Sequence, residues 1–434
     1  MEHRRQAKFF TVDLCAGCFL MDIALIMHEL LVEGGGERQC VSLARELSLR
    51  GHQITLYTSA YDRANCFPET CKDLRVVDVG RGLLRGLRKP KLLRGYLDMK
   101  RLTSAVKSRH EIWNPHHWPA QWGAVWLKQK LGGAVVWMCN DVPNLYEKAH
   151  QRRSIGLIAA AVHWLYYVYD RAQNRRVDLT LFLSNWAEGK FKTIYAGRTC
   201  VVRSGVDPAR FSRGGDRQKI RDRFGYKASE FVLFWLGIFM PHRRIQDAIE
   251  AVSLLKSHGF QVRLLLAGSD RSFPEYFSSL KALAAHLGVT HEITFTGKVA
   301  DEEIRDFYCA CDAFLFPNEQ QTWGLAVLEA MACGCPVMVS QGAAVHEVLT
   351  DDENAFLFPA RNPEALAAKI QSVANQPTLR AEVSQQGMDL VRTKYNWEQF
   401  AMQIAQACKG ITRRETSDAS VNSLVKPRRH NLDE

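Results

Sequence analysis

The chain has no apolar run long enough to cross a bilayer. Its longest, Ile155–Tyr169 (IGLIAAAVHWLYYVY), has fifteen residues, against about 20 for a transmembrane helix. Near the start, Arg4, Arg5 and Lys8 precede an apolar stretch that Asp13 interrupts, so no secretory leader is expected. There is no dense, even cysteine framework either; the 12 Cys are scattered. Cys309-x-Cys311 and Cys333-x-Cys335 lack zinc-ligand spacing and stand among apolar residues, which predicts buried thiols in a reducing compartment. Cys15 and Cys18 have C-x-x-C spacing, but no second pair or His cluster follows closely, so no metal site is expected there. No helix-turn-helix, zinc-finger or RNP pattern points to nucleic acid. No Gly-Lys-Ser/Thr follows a Gly-rich turn and no G-x-G-x-x-G is present, which excludes a P-loop and the dinucleotide fingerprint. The expectation is a cytoplasmic protein, soluble or resting on the inner face of a membrane.

What the chain does have is apolar material and positive charge. At 434 residues and 47% hydrophobic, it can build two domains, each of about 200 residues. The net charge is +11 and uneven: between Arg81 and Arg109 ten Lys/Arg face one Asp. This Leu-punctuated basic stretch reads either as a solvated helical face or as a contact for anionic lipid, with Ile155–Tyr169 as a further membrane contact.

Two α/β units follow one grammar. Met21–Ile26 reads as a strand, Gly34-Gly35-Gly36 as a turn, the spacing of Val41, Ala44 and Leu47 as a helix to Arg50, and Ile54–Thr58 as a second strand. The pattern restarts with Phe231–Leu236 as strand, Ile245–Ser257 as helix and Val262–Ala267 as strand. It continues through a helix capped by Asp301, strands at Ala313–Pro317, Val337–Ser340 and Phe356–Phe358, and a helix from Pro363 to Asn375. Repeated βα units imply parallel sheets with helices on both faces. The expected layout is an N-terminal domain over 21–205 and a C-terminal domain over 228–390. A helix over 391–412 packs back on the first domain, and 413–434 form a disordered tail.

Facing domains of this kind leave a cleft at the carboxyl ends of their strands. Three loops there suit an anionic ligand. Gly34–Gly36 let backbone approach closely before a helix N-terminus. In GIFMPHRRIQD (Gly237–Asp247), Arg243 and Arg244 stand between a strand and a helix, placed to hold a diphosphate. In QTWGLAVLEAMACGCPV (Gln321–Val337), Glu329 is a carboxylate in an apolar helix. Burying it costs several kcal/mol unless something binds it, and two sugar hydroxyls would do so. Leu325 and Leu328 are expected to face the core.

These stretches resemble the retaining GT-B glycosyltransferases of family 4, over roughly residues 21–410. The resemblance is carried by GGGER at Gly34–Arg38, RSGVD at Arg203–Asp207, WGLAVLEAMACGCPVMVS from Trp323 and DENAFLF from Asp352. It implies a GT-B fold of two Rossmann-like domains and a sugar-nucleotide donor, UDP- or GDP-linked. Transfer would run with retention, without a metal, to a glycan or lipid-linked acceptor in cell-surface polysaccharide or glycoconjugate assembly. Arg243, Gln321 and Glu329 take the catalytic positions. Gly35, Gly36, Gly237 and Arg244 join the donor site with Thr322, Trp323, Gly324 and Leu325; His116, His117 and Asn140 face the acceptor. Three positions depart from the family pattern. Gln321 stands where the first Glu of E-x7-E would be, Ile238 replaces the usual Arg with Arg244 as its stand-in, and WMC runs into Asn140-Asp141 where a His is usual. The alternative reading is a catalytically silent GT-B protein that binds a nucleotide or a partner.

Overall fold

The computed structural model describes residues 20–31, 34–80, 91–143, 156–320 and 323–424. Gln321, Thr322, the Cys15/Cys18 pair and the basic run 81–90 lie outside these residues.

The strands are short and mostly buried, which is why several read as unbroken apolar runs. The first sheet is built from β1 (Asp22–Met27), β2 (Gln53–Thr58), β3 (Arg75–Asp78), β4 (Ile112–His116), β5 (Ala134–Met138), β6 (Leu179–Phe182) and β7 (Thr199–Val201). All pairs are parallel, in the order β3-β2-β1-β4-β5-β6-β7. Its helices are α1 (Gly35–Leu49), α2 (Pro68–Cys71), α3 (Lys91–Ala105), α4 (Ala120–Leu131), α5 (Leu157–Asn174) and α6 (Asn185–Lys192). α7 (Arg217–Phe224) leads into the second sheet, made of β8 (Phe231–Leu236), β9 (Val262–Ala267), β10 (Ile293–Gly297), β11 (Ala313–Phe316), β12 (Val337–Ser340) and β13 (Phe356–Phe358). That sheet is also parallel, ordered β10-β9-β8-β11-β12-β13. Around it lie α8 (Ile245–Ser257), α9 (Pro274–His286), α10 (Ile304–Ala310), α11 (Leu325–Ala332), α12 (Pro363–Asn375) and α13 (Pro377–Lys394).

The last helix, α14 (Trp397–Leu424), crosses back to the first domain. It packs on α1, buries Phe400, Ile404 and Cys408, and pairs Glu398 with Arg50 at 3.0 Å. It runs to Leu424, where the sequence had suggested a disordered tail from 413.

Strand order reverses twice, between β1 and β4 and between β8 and β11. At such switch points the flanking loops diverge and open a crevice beyond the strand ends. Gly34–Gly36 follow β1, His117 follows β4, Gly237–Arg244 follow β8, and the loop to Glu329 follows β11. The two crevices face each other.

One buried carboxylate organises the part of the first domain behind His117. Asp170, on α5, is fully buried and accepts from Trp118 Nε1 (3.2 Å), Gln121 Nε2 (2.9 Å), Trp122 Nε1 (2.6 Å), Asn174 Nδ2 (3.1 Å) and the Tyr195 hydroxyl (2.7 Å). Burial pushes its carboxyl up to about 6, opposed by these donors. The hub ties α5 to α4 and to the turn behind His117. Asp170→Asn turns an amide NH2 toward N–H donors, so it is expected to lower stability by about 3 kcal/mol. Denaturant midpoints of the two proteins check it.

Candidate active site

Glu329 lies on the second turn of α11, a helix whose other inner positions, Val327, Leu328, Ala330 and Met331, are buried apolar residues. Only 9% of Glu329 is exposed. The Tyr308 hydroxyl on α10 donates to its Oε2 at 3.0 Å. Burial raises the carboxyl above the usual range; Arg38, the Tyr308 bond and Arg210 oppose that rise. Leu325, expected in the core, is half-buried at the cleft: its Cδ1 lies 3.5 Å from where a Cβ on Gly35 would stand. The first loop of one domain therefore abuts the Glu329 helix of the other.

Arg38 completes that junction. It bonds Asp301 at 2.9 and 3.1 Å, and Arg210 bonds the same carboxylate. Asp301 was expected to cap α10. That helix instead starts at Ile304, and Asp301 is held by two guanidiniums across the cleft. A second clasp uses Glu347, which accepts from the backbone N–H groups of Asn185 (2.9 Å) and Trp186 (2.8 Å) at the start of α6 and from Arg203 (2.9 Å). The Arg203 guanidinium lies 5.3 Å from the centre of the Trp323 ring. Trp323 is buried, and its indole N–H has no partner among the described residues.

The first-domain wall is tight. Gly34 caps α1 without a side chain, leaving the first N–H groups of the helix toward the cleft. A Cβ on Gly36 would come within 2.0 Å of His117 Nε2, so the imidazole lies directly on this glycine. His117 Nε2 is also 3.5 Å from Asn140 Nδ2, and Asn140 Oδ1 is buried without a partner among the described residues. His116 points away. It is fully buried, shares a hydrogen bond with Asn114 at 3.1 Å, and burial pulls its pKa down to about 3. Of the three residues expected on this wall, His117 and Asn140 face each other beside Gly36, and His116 does not join them. Gly36→Ala must displace His117, and a shift of about 1 Å costs roughly 10²-fold in rate. The expectation is a large loss of turnover with an unchanged melting temperature, read by kinetics and calorimetry.

On the second-domain wall, Arg243 ends a short 3-10 turn (Pro241–Arg243) and is half-buried. Burial pulls its pKa down to about 10 and Asp141, across the cleft, pushes it back up, so it stays cationic at neutral pH. Arg244, expected beside it, is engaged by a neighbour on its own helix. It bonds Asp247 through Nε (3.0 Å) and Nη2 (2.6 Å), at the start of α8. Ile238, 43% exposed, leaves the strand end apolar. Gly237 follows β8 directly; its carbonyl oxygen sits 1.6 Å from where a Cβ on Gly268 would stand, so the two backbones touch. Gly324 is also packed, less tightly, with Val345 and Phe316 at 3.1 and 3.3 Å from its would-be Cβ. Glu319, the nearest described carboxylate before Gln321, is bound by Arg361 at 2.6 and 2.9 Å. His117, Arg244 and Gln320 all have positive φ, a conformation that costs a non-glycine residue on the order of 1 kcal/mol and clusters at functional sites.

Among the described residues, one cluster has metal-ligand character: His28, Glu29 and Asp98, with donor atoms within 4.8 Å of one another. Arg94 reaches both carboxylates, at 3.4 and 4.0 Å, and supplies the positive charge there.

Sequence reasoning missed Arg38, Asp301, Tyr308 and Glu347. Arg38 carried a signal, since it directly follows the Gly-rich turn. The other three gain meaning only from contacts far along the chain.

Comparison with known proteins agrees with this geometry. Residues 33–210 match the family model for Glycosyltransferase Family 4, and residues 216–389 match that for Glycosyl transferases group 1. A D-inositol 3-phosphate glycosyltransferase of Rhodococcus erythropolis is 25% identical over 388 residues, covering 85% of this chain and 84% of that protein. A mannosylfructose-phosphate synthase of Agrobacterium fabrum is 23% identical over 415 residues, covering 87% of each. The structure of a sucrose-phosphate synthase from Thermosynechococcus elongatus superposes with a TM-score of 0.73 at 21% identity, covering 90% of this chain and 99% of that one. With both domains matched in order, the chain belongs to the group 1, family 4 glycosyltransferases and has their two-domain GT-B fold.

Proposed function

We propose that this glycosyltransferase moves a hexose, with retention of configuration, from a UDP- or GDP-linked donor to a glycan or lipid-linked acceptor in cell-surface polysaccharide or glycoconjugate assembly. The observation that carries the donor side is Glu329. It is buried at the switch-point cleft, keeps Oε1 beside its Tyr308-bonded oxygen, and lies on the helix that Gly35 touches. There it accepts from the two ribose hydroxyls. The α1 N-terminus and Arg243 face the diphosphate and neutralise the leaving group without a metal. His117 and Asn140 hold the acceptor hydroxyl on the same face as the leaving group. That placement supports retention, with the protein supplying charge and position. A solved protein of similar fold, HepE of Anabaena, is in complex with UDP-glucose, at 18% identity and a TM-score of 0.73.

The membrane side rests on α3 and α5. They meet through Tyr96 and Tyr169, whose ring centres are 6.1 Å apart. α5 exposes Leu157, Ile158, Trp164 and Leu165, while α3 exposes Leu93, Leu97 and Lys100. No helix among the described residues is long and apolar enough to span a membrane. An apolar patch beside basic charge suits an anionic lipid surface, where the enzyme meets a lipid-linked acceptor.

The test is transfer from UDP- and GDP-hexoses to a lipid-extract acceptor, with and without EDTA, and the anomeric configuration of the product read by NMR. A retained linkage, unaffected by EDTA, is expected; an inverted product or donor-independent release contradicts it. In flotation, the protein is expected to bind phosphatidylserine vesicles at low salt. Leu157→Ser with Leu165→Ser is expected to cut that binding by about tenfold.

A further inference from the structure

Four cysteines meet behind the Glu329 helix. Cys309 and Cys311 bracket the end of α10; Cys333 caps the end of α11 and Cys335 follows it. Cys311 Sγ and Cys335 Sγ are 3.2 Å apart, and the Cys333 thiol hydrogen-bonds to the Cys309 sulfur. All four line one open pocket, with Arg213, Arg217 and Arg380 on its walls. Their accessibility differs. Cys311, Cys333 and Cys335 are buried, whereas Cys309 is half-buried and reaches the pocket, against the expectation of uniformly buried thiols. The Cys333 thiol, the Gly215 N–H and Arg305 pull the Cys309 thiol down to about 6, against burial and Asp306, while the Cys309 bond and burial push Cys333 up. An accessible sulfur favoured as thiolate, beside a protonated partner, is the arrangement of an attacking and a resolving cysteine.

The two helices that carry this pair also carry the donor site. Tyr308, next to Cys309, donates to Glu329, which lies one turn before Cys333. A disulfide holds its sulfurs at about 2.05 Å, closer than any hydrogen-bonded pair of thiols. Closing it draws together side chains at the ends of the two helices, on the segments that carry Tyr308 and Glu329.

We propose that Cys309 and Cys333 form a peroxide-responsive dithiol whose closure to a disulfide weakens nucleotide-sugar binding at Glu329. The binding half rests on the donor site proposed above. In the first step the Cys309 thiolate attacks a peroxide, the O–O bond breaks, and sulfenic acid and hydroxide form. The Cys333 sulfur then attacks the sulfenic sulfur, an S–S bond forms, and the departing hydroxide leaves as water with the Cys333 proton. The sulfurs lose two electrons and the peroxide gains them. A dithiol reductant reverses the bond.

The experiment treats the full chain with stoichiometric hydrogen peroxide, maps disulfides by peptide mass spectrometry, and titrates UDP- and GDP-hexoses before and after. A Cys309–Cys333 disulfide, roughly tenfold weaker donor binding, recovery with dithiothreitol, and loss of all three effects in Cys309→Ser are expected. No disulfide, or one confined to Cys311–Cys335, overturns the pair. A mapped Cys309–Cys333 bond with unchanged donor affinity overturns the coupling. If the reduced protein binds no nucleotide sugar, the donor-site reading fails instead. The mapped bond then still decides the dithiol, and slowed hydrogen exchange across α10 and α11 still decides whether closure reaches Glu329. Thiols trapped by added Zn²⁺ and unreactive to peroxide would make the cluster a metal site and contradict the proposal.

Discussion

Arg243→Ala is expected to lower turnover by roughly 10²–10³-fold, the cost of removing one preorganised donor from a site where charge develops. The side chain stands at the end of the 3-10 turn in the loop after β8 and is cationic in a half-buried position. Charge on the departing diphosphate grows as the glycosidic bond breaks, so the lost interaction belongs mainly to the transition state. The expected signature is a fall in kcat with a smaller change in donor KM. Arg243→Lys keeps the charge but loses the guanidinium fork, and should recover part of the rate. Because Arg244 is bound by Asp247, it does not take over. Arg244→Ala should instead act on the start of α8, and steady-state kinetics of the three variants separate these roles.

Glu329→Ala acts on the other end of the donor. Two charge-assisted hydrogen bonds to ribose hydroxyls, each about 1.5–3 kcal/mol when lost, predict a donor KM raised by roughly 10²–10⁴-fold. The sign of the pH dependence follows from burial. The carboxyl is raised in the free protein, so its neutral form persists to higher pH than that of an exposed Glu. The ionised form accepts from the hydroxyls, so donor affinity is full above that raised value and falls as pH drops through it. A nucleotide sugar carries a diphosphate diester that does not titrate there. Glu329→Gln should therefore bind more weakly at neutral pH and lose the acid dependence. Titrating donor affinity against pH for both proteins measures it.

Much of the second domain was legible because its strands are buried on both faces. Phe231–Leu236, Val262–Ala267 and Phe356–Phe358 are unbroken or nearly unbroken apolar runs, and the structure has strands at those residues. β4 was not legible, because Pro115 stands in a central strand, where proline normally argues against one. The chain accommodates it with a side chain. Asn114 Nδ2 donates to the Val136 carbonyl of β5 beside the missing proline N–H. β3 and β7 are short, partly exposed edge strands with little apolar signal.

The site divides the same way. Glu329 announced itself as a charge in an apolar helix. The Arg38–Asp301 bond joins residues 263 apart in sequence and arises only when the domains close. Tyr308 looked like another aromatic in an apolar stretch until α10 packed beside α11. Arg243 and Arg244 are adjacent and chemically alike. Only the positive φ of Arg244 and the presence of Asp247 one turn on assign them different work.

The central claim is that this cleft binds a nucleotide sugar through Glu329, and thermal unfolding with UDP-, GDP- and ADP-linked sugars tests it most directly. At a hundredfold excess over Kd, a bound ligand stabilises the folded chain by about 2.7 kcal/mol. One nucleotide class is predicted to raise the melting temperature of the wild type and to leave Glu329→Ala unmoved at the same concentration. If no nucleotide sugar shifts the wild type, or the same one shifts both proteins equally, the donor does not bind where the geometry places it.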